Sequence, residues 1–203
     1  MSGPTPRIGV LALQGGVREH VEMLKAVAPV AVVEVMAPAD LEGLDGIVLP
    51  GGESTTIANL LEESGLLGPL RDSLAHGLPA YGTCAGMILL SRTVTDGSVE
   101  GVAAMDLKVR RNAFGAQRDS FETDLKVEGL DEPPFPAVFI RAPRIEEAGP
   151  AVEILARLPD GTAVAARQGN LLVSAFHPEL GHDQRFHAMF LTMCSEKNHP
   201  DSA

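Results

Sequence analysis

Four short apolar runs, each followed by a turn and then by a segment of helical or mixed pattern, fill the first 93 residues. That alternation leaves few folds open. RIGVLAL (7–13), VAVVEVM (30–36), GIVLPGG (46–52) and LPAYGTC (78–84) read as strands. Between the first two, VREHVEMLKAVA (17–28) places apolar residues at 17, 21, 24, 27 and 28, the spacing of one helical face. Residues 53–77 read as two helices broken between Gly65 and Pro69, and AGMILLSRT (85–93) as a further helix. Strands without a polar face are buried on both sides, as in parallel sheets whose crossover helices cover both faces. The expected fold is a three-layer, doubly wound α/β sheet, mixed but mostly parallel. Such sheets hold ligands at the carboxyl ends of their strands. Three strand-end loops therefore gain weight: Gln14-Gly15-Gly16, Gly51-Gly52-Glu53 and Cys84-Ala85-Gly86.

The second half changes character. DLKVRRN, SFETDLKVEG, AVFIRAP, AVEILARLPDG, TAVAARQGN and LLVSAFHPE read as short strands separated by Gly, Pro, Asp and Asn. Turns at Asp160-Gly161 and Gly169-Asn170 mark a β-meander. Residues 183–196 form a closing helix with apolar positions 186, 189, 190 and 193, and residues 197–203 are expected to fray. With no linker or internal repeat, residues 1–203 are expected to form one domain.

A formal net charge of −11 argues against nucleic acid and against an anionic membrane surface. No stretch approaches the ~18 to 20 apolar residues that span a bilayer. The start, MSGPTPRIGVLALQGG, is too short in its apolar part for a signal peptide. Two cysteines, Cys84 and Cys194, make no disulfide framework. A reduced, cytoplasmic setting is expected. Aromatic residues are only 4% of the chain, so the core is expected to be mainly Leu, Val, Ile, Ala and Met.

Gly82-Thr83-Cys84-Ala85-Gly86 has the pattern of a nucleophile elbow with a thiol in place of a hydroxyl. A strand ends, the chain turns sharply between glycines, and a helix begins. The helix N-terminus favours thiolate over thiol. A buried structural cysteine among small residues is the competing reading. His177 in FHPEL also stands at a strand end, with Glu179 two residues on, so a Cys-His-carboxylate set is available. The histidines at 20, 76, 182, 187 and 199 lack that placement, and His187 is expected to be packed or exposed in the last helix. None shows metal-ligand spacing, so no metal is expected and no cofactor is called for. The N–H groups of Gly51 and Gly52 can face an oxyanion, while Ser54 or Thr55 can cap the helix that follows. Arg111 and Arg141 are candidates to grip a carboxylate, or are surface ion-pair residues.

Together, GVLALQG, LPGGESTT, GTCAGMILL, RRNAFGAQRDSFE, FIRAP and AFHPEL resemble the class I, triad-type glutamine amidotransferases, whose sheet is flavodoxin-like. Their order over residues 9–180 is similar to that of the glutaminase subunits of pyridoxal phosphate synthase. The resemblance implies that Cys84 attacks the side-chain amide of L-glutamine, His177 moves the proton and Glu179 orients His177. It implies an oxyanion hole at Gly52 and Ala85, and glutamine held by Gly52, Glu53, Ser54, Arg111, Ile140 and Arg141. The implied partner is a (β/α)-barrel synthase subunit in a large hetero-oligomer. That subunit would take ammonia through a tunnel and build pyridoxal phosphate from ribose 5-phosphate and glyceraldehyde 3-phosphate. The chain has no length left over for a synthase domain, so the acceptor site is expected on another chain.

Three positions depart from the family's pattern: Gly16 where Asp is usual, Ala116 where Arg is usual, and Gly181 where Thr is usual. Gly16 and Ala116 are expected to bear on docking, and none of the three to touch the triad. Two other readings stay open at this point: an amidotransferase subunit serving a different acceptor, and a regulatory pseudo-glutaminase without activity. A cysteine-dependent hydrolase or chaperone of similar fold would not be expected to carry FHPE.

Overall fold

The computed structural model describes residues 5–95, 97, 99–113 and 120–198. The four apolar runs form β1 (Arg7–Leu11), β2 (Ala31–Val35), β3 (Gly46–Leu49) and β4 (Ala80–Thr83), paired in parallel in the order β2-β1-β3-β4. Helix α1 (Val17–Val27) joins β1 to β2, while α2 (Ser54–Glu63) and α3 (Leu67–Ala75) join β3 to β4. The chain thus steps from β1 to one side and then returns past β1 to build the other. Right-handed crossovers in opposite directions put α1 on one face and α2 and α3 on the other. Helix α5 (Arg185–Asn198) packs with α1, and α2 packs with α3 and with α4 (Ala85–Leu90). The order reverses between β1 and β3, the switch point at which such sheets open a crevice.

Beyond β4 comes β12 (Leu171–Ser174), also parallel to it. The sheet then continues with β11 (Ala163–Gln168), β9 (Arg144–Ala148), β6 (Met105–Arg110) and β5 (Ser91–Val94). Apart from the parallel β5–β6 pair, this half is antiparallel, and β10 (Glu153–Arg157) adds to β11 as the expected meander. A separate hairpin of β7 (Ser120–Leu125) and β8 (Phe135–Ile140) leans on the sheet's end, where the His177 N–H donates to the Val138 carbonyl at 2.8 Å.

Two assignments change. The helix expected over 85–93 stops at Leu90, and Ser91–Val94 is strand β5. Ser91 turns to extended backbone (φ −70°, ψ 141°), and β-branched Thr93 and Val94 pair with β6. Strand β9 has no apolar alternation to announce it: of RIEEA only Ile145 is buried. Cross-strand charge pairs hold it instead, with Arg110 Nε 2.6 Å from Glu146 and Lys108 Nζ 2.6 Å from Glu147. At the chain's end α5 includes 197 and 198 of the segment expected to fray; the remainder of it lies outside the described residues.

The core is richer in rings than composition suggested. Tyr81, Phe135, Phe139, Phe176, Phe186 and Phe190 are all fully buried. They form one cluster, with centroid separations of 4.9 Å for Phe135–Phe186 and 5.1 Å for Phe176–Phe186. This cluster ties the hairpin, α5 and the β4–β12 centre together. No helix among the described residues is long and apolar enough to cross a membrane.

Candidate active site

Four strand-end loops converge on one pocket of about 480 Å³ at the switch point. Gln14–Gly16 follow β1, Gly51–Ser54 follow β3, Cys84 follows β4 and His177 follows β12. The hairpin brings Ile140 and Arg141 from the far side, and Arg111 and Asn112 come from the end of β6. Cys84, His177, Glu179, Gly52, Glu53, Ser54, Arg111, Ile140 and Arg141 all line this pocket. Ala85 follows Cys84 as the first residue of α4 and is buried.

The elbow is strained in the way its glycines suggested. Cys84 has φ 48° and ψ −101°, a conformation that costs a non-glycine residue on the order of 1–3 kcal/mol. The surrounding structure fixes it: its N–H donates to the Ser174 carbonyl at 2.8 Å, and its Sγ lies 4.0 Å from the Ile140 carbonyl. The thiol is largely covered yet faces the pocket. The buried-cysteine reading fits Cys194 instead, which sits in α5 at 1% exposure.

Glu179 Oε1 accepts from His177 Nδ1 at 2.7 Å, which leaves Nε2 of the ring for Cys84. Burial alone would lower the His177 pKa. Hydrogen bonds to Cys84 and Glu179, with their charges, overcome burial and lift it to about 10. Burial pushes the Glu179 carboxyl upward, but the hydrogen bond and charge of His177 work against it, and the carboxyl stays below its ordinary value.

The loop after β3 is crowded and pinned. The Gly51 N–H donates to Thr83 Oγ1 at 3.0 Å, and the Gly51 carbonyl accepts from the Gly16 N–H at 3.1 Å. The Glu53 N–H donates to Gln14 Oε1 at 2.8 Å. Of the two amides expected to face an oxyanion, Gly51's is thus spent on Thr83, which leaves Gly52's. A Cβ on Gly51 would lie 2.5 Å from His177 Cε1, so the imidazole packs directly on this peptide.

Helix capping also differs from expectation. The N-cap of α2 is Glu53, whose carboxylate accepts from Thr56 N at 2.7 Å and Thr55 N at 3.3 Å. Ser54 is the first helical residue and is buried. A long acidic side chain can reach the amides that a Ser usually caps, and the helix N-terminus favours its charge. Arg111 closes the set, with Nη2 3.1 Å from Glu53 Oε1 and Nη1 3.2 Å from Thr55 Oγ1. Burial works to raise the Glu53 pKa, while bonds from Thr56 and Thr55 and the Arg111 charge bring it below normal. Arg141 is exposed at the rim with φ 43°.

Of the three departures from the family pattern, Gly16 lies nearer the triad than expected. A Cβ there would stand 3.5 Å from Glu179 Oε1 and 3.7 Å from Glu19 Oε2. Gly181 follows the 3-10 turn Pro178–Leu180 at the pocket's edge. Ala116 lies outside the described residues, as does the 114–119 part of its motif.

Sequence reasoning passed over three polar residues behind the triad. His20, Thr83 and His187 are all fully buried. His20 Nε2 lies 3.4 Å from Glu179 Oε2 and 3.1 Å from Thr83 Oγ1, and His20 Nδ1 lies 2.9 Å from His187 Nε2. The available signal was a histidine on the buried side of each helix: His20 beside Met23 and Leu24, His187 between Phe186 and Phe190. No group of three or more metal-ligating side chains occurs among the described residues.

Known proteins resemble this chain over most of its length. Residues 10–196 match the SNO glutamine amidotransferase family. The chain is 56% identical over 193 residues to the pyridoxal 5'-phosphate synthase subunit PdxT of Frankia alni, covering 94% of this chain and 95% of that protein. It is 53% identical over 189 residues to the protein of the same name from Leifsonia xyli, covering 92% and 95%. A crystal structure of a glutamine amidotransferase superposes with TM-score 0.87 at 45% identity, over 93% of this chain and 98% of that one. The structure of PurLQS from Thermotoga maritima shares the fold at 15% identity and TM-score 0.69, over 93% of this chain and 99% of that one. The chain belongs to the SNO glutamine amidotransferase family.

Proposed function

We propose that this chain is the glutaminase subunit of a pyridoxal 5'-phosphate synthase, one domain that hydrolyses L-glutamine and hands ammonia to a separate synthase subunit. The observation that carries the reading is the shared pocket in which Cys84 and the hydrogen-bonded pair His177 and Glu179 meet the loop after β3. Identity above one half to proteins named as PdxT supports the choice of acceptor.

In this reading Cys84 Sγ attacks the side-chain amide carbon of glutamine. Charge develops on the amide oxygen and is met by the N–H groups of Gly52 and Ala85. His177 gives its proton to the amide nitrogen, the C–N bond breaks, and ammonia leaves a glutamyl thioester on Cys84. Water then attacks the thioester, His177 takes a proton from it, and the C–S bond breaks to release glutamate. Glu179 holds the ring and offsets its positive charge. Gly52, Glu53, Ser54, Arg111, Ile140 and Arg141 hold the substrate, with the two guanidinium groups facing its α-carboxylate. The partner is a (β/α)-barrel protein, assembled with glutaminase subunits into a large hetero-oligomer.

The test is glutamate release from glutamine by the chain with its synthase subunit. Cys84→Ala should fold normally and release none. Retained hydrolysis in that variant overturns the reading, and pyridoxal phosphate made only from added ammonium salts, never from glutamine, overturns the choice of acceptor.

A further inference from the structure

The buried cluster of His20, Thr83 and His187 has no part in the chemistry above, yet it touches both halves of the site. Among the described residues, Glu179 Oε2 and His187 Nδ1 are buried without a hydrogen-bond partner. Burial lowers the pKa of both histidines, His187 to about 3, so both are neutral at pH 7. One of the two rings must therefore donate in the His20 Nδ1···His187 Nε2 contact of 2.9 Å.

If His20 Nδ1 carried the proton, its Nε2 lone pair would point at a carboxylate oxygen 3.4 Å away, and His187 Nδ1–H would be a buried donor with no acceptor. Both are costly. If His187 Nε2 donates, His20 carries its proton on Nε2, between Thr83 Oγ1 at 3.1 Å and Glu179 Oε2 at 3.4 Å. An unused lone pair on His187 and the Thr83 O–H are then left over, so each arrangement leaves one donor unmatched, and what separates them is that only this one turns a donor rather than a lone pair toward Glu179 Oε2. Thr83 Oγ1 accepts from the Gly51 N–H as well, using its second lone pair.

We propose that His20, its tautomer set by His187, is a positioning residue for glutamine hydrolysis: its Nε2–H steadies the second oxygen of Glu179 and, through Thr83, the Gly51 amide beside the oxyanion loop. One imidazole thereby links the carboxylate that orients the base to the peptide that must present Gly52. The 3.4 Å contact is close but not aligned as a hydrogen bond, so a small rotation of Glu179 closes it. This inference rests on the Cys84-His177-Glu179 reading and adds a layer behind it.

The experiment uses the full chain with its synthase subunit. The side-chain nitrogen of Gln overlays Nε2 of His, whereas that of Asn overlays Nδ1. His20→Gln keeps the donor toward Glu179 and Thr83; His20→Asn keeps only the side facing His187; His20→Phe keeps neither. The expected result is kcat lowered about 10- to 100-fold in His20→Asn and His20→Phe, the scale of a sub-ångström misplacement. KM for glutamine should stay within about twofold, and His20→Gln should recover most of the loss. Equal kcat in folded Phe and wild-type proteins, or no difference between Gln and Phe, overturns the proposal. The alkylation rate of Cys84 by iodoacetamide should follow the same order without glutamine, so it reads the proposal even if the wild type releases no glutamate. Should the variants not fold, nitrogen NMR of the wild-type rings decides: His20 protonated on Nε2 supports it, and on Nδ1 refutes it.

Discussion

Adding one methyl group to Gly86 should separate the cost of disturbing the elbow from the cost of unfolding. A Cβ at this position would lie 2.0 Å from the Leu49 carbonyl oxygen and 2.9 Å from its carbon. Both atoms are backbone of β3, so no rotamer change relieves the clash. Ordinary contact needs more than an ångström of extra separation, and α4 or β3 must supply it. Overpacking of this kind costs about 1–3 kcal/mol. For a chain of this size that lowers Tm by roughly 2–12 °C, at about 2–4 °C per kcal/mol. The same shift moves Cys84, two residues away, relative to His177 and Gly52. An ångström of misplacement at the reacting atoms costs about 10²-fold in rate, near 3 kcal/mol. Gly86→Ala should therefore stay folded at 25 °C and lose about 100-fold in kcat. Thermal unfolding and glutamate release with the synthase subunit measure the two effects. A variant with kcat within threefold of wild type and an unchanged Tm would show that the elbow does not need its close approach to β3.

Three further outcomes are expected. Below pH 6.5 the unfolded chain binds protons at His20 and His187 that the folded chain refuses, since both folded pKa values are lowered, His187 to about 3. Stability should thus fall on acidification from pH 7 to 5, by about 2 kcal/mol from His187 alone at 1.4 kcal/mol per pH unit; a flat Tm over that range would contradict the buried neutral pair. His177 acts on the other side: with its pKa raised to about 10, its contribution is complete below pH 6.5 and drains away as pH rises toward 10, so chemical denaturation should show a maximum near neutrality. Arg111→Lys, which keeps a charge but loses the fork shared by Glu53 and Thr55, should raise KM for glutamine about tenfold with a smaller effect on Tm, and an unchanged KM would place substrate binding elsewhere.

The triad candidates were legible because each stands at the end of an apolar strand, and strand ends in a doubly wound sheet meet on one edge. Cys84, His177 and the loop at Gly51-Gly52 needed only that rule and their local glycines or proline. Glu53 was legible as part of a strand-end loop but not as the helix cap, because Ser54 and Thr55 are the commoner caps and the reach of a glutamate depends on the turn before it. Strand β9 was hidden because charge pairing with β6, not alternation, defines it. The His20–His187 contact joins residues 167 positions apart through the side of the sheet opposite α2 and α3, and no local pattern marks it. Gly16 read as a docking position, since the sequence gives no hint that α1 begins against Glu179.

The most direct test of the central claim is the site of covalent labelling by a diazoketone analogue of glutamine, read by peptide mass spectrometry. A Cys84 nucleophile requires one label per chain, on Cys84, with glutaminase activity lost in proportion and glutamine protecting. A label on Cys194 or any other residue, or full hydrolysis by chains labelled at Cys84, would contradict it.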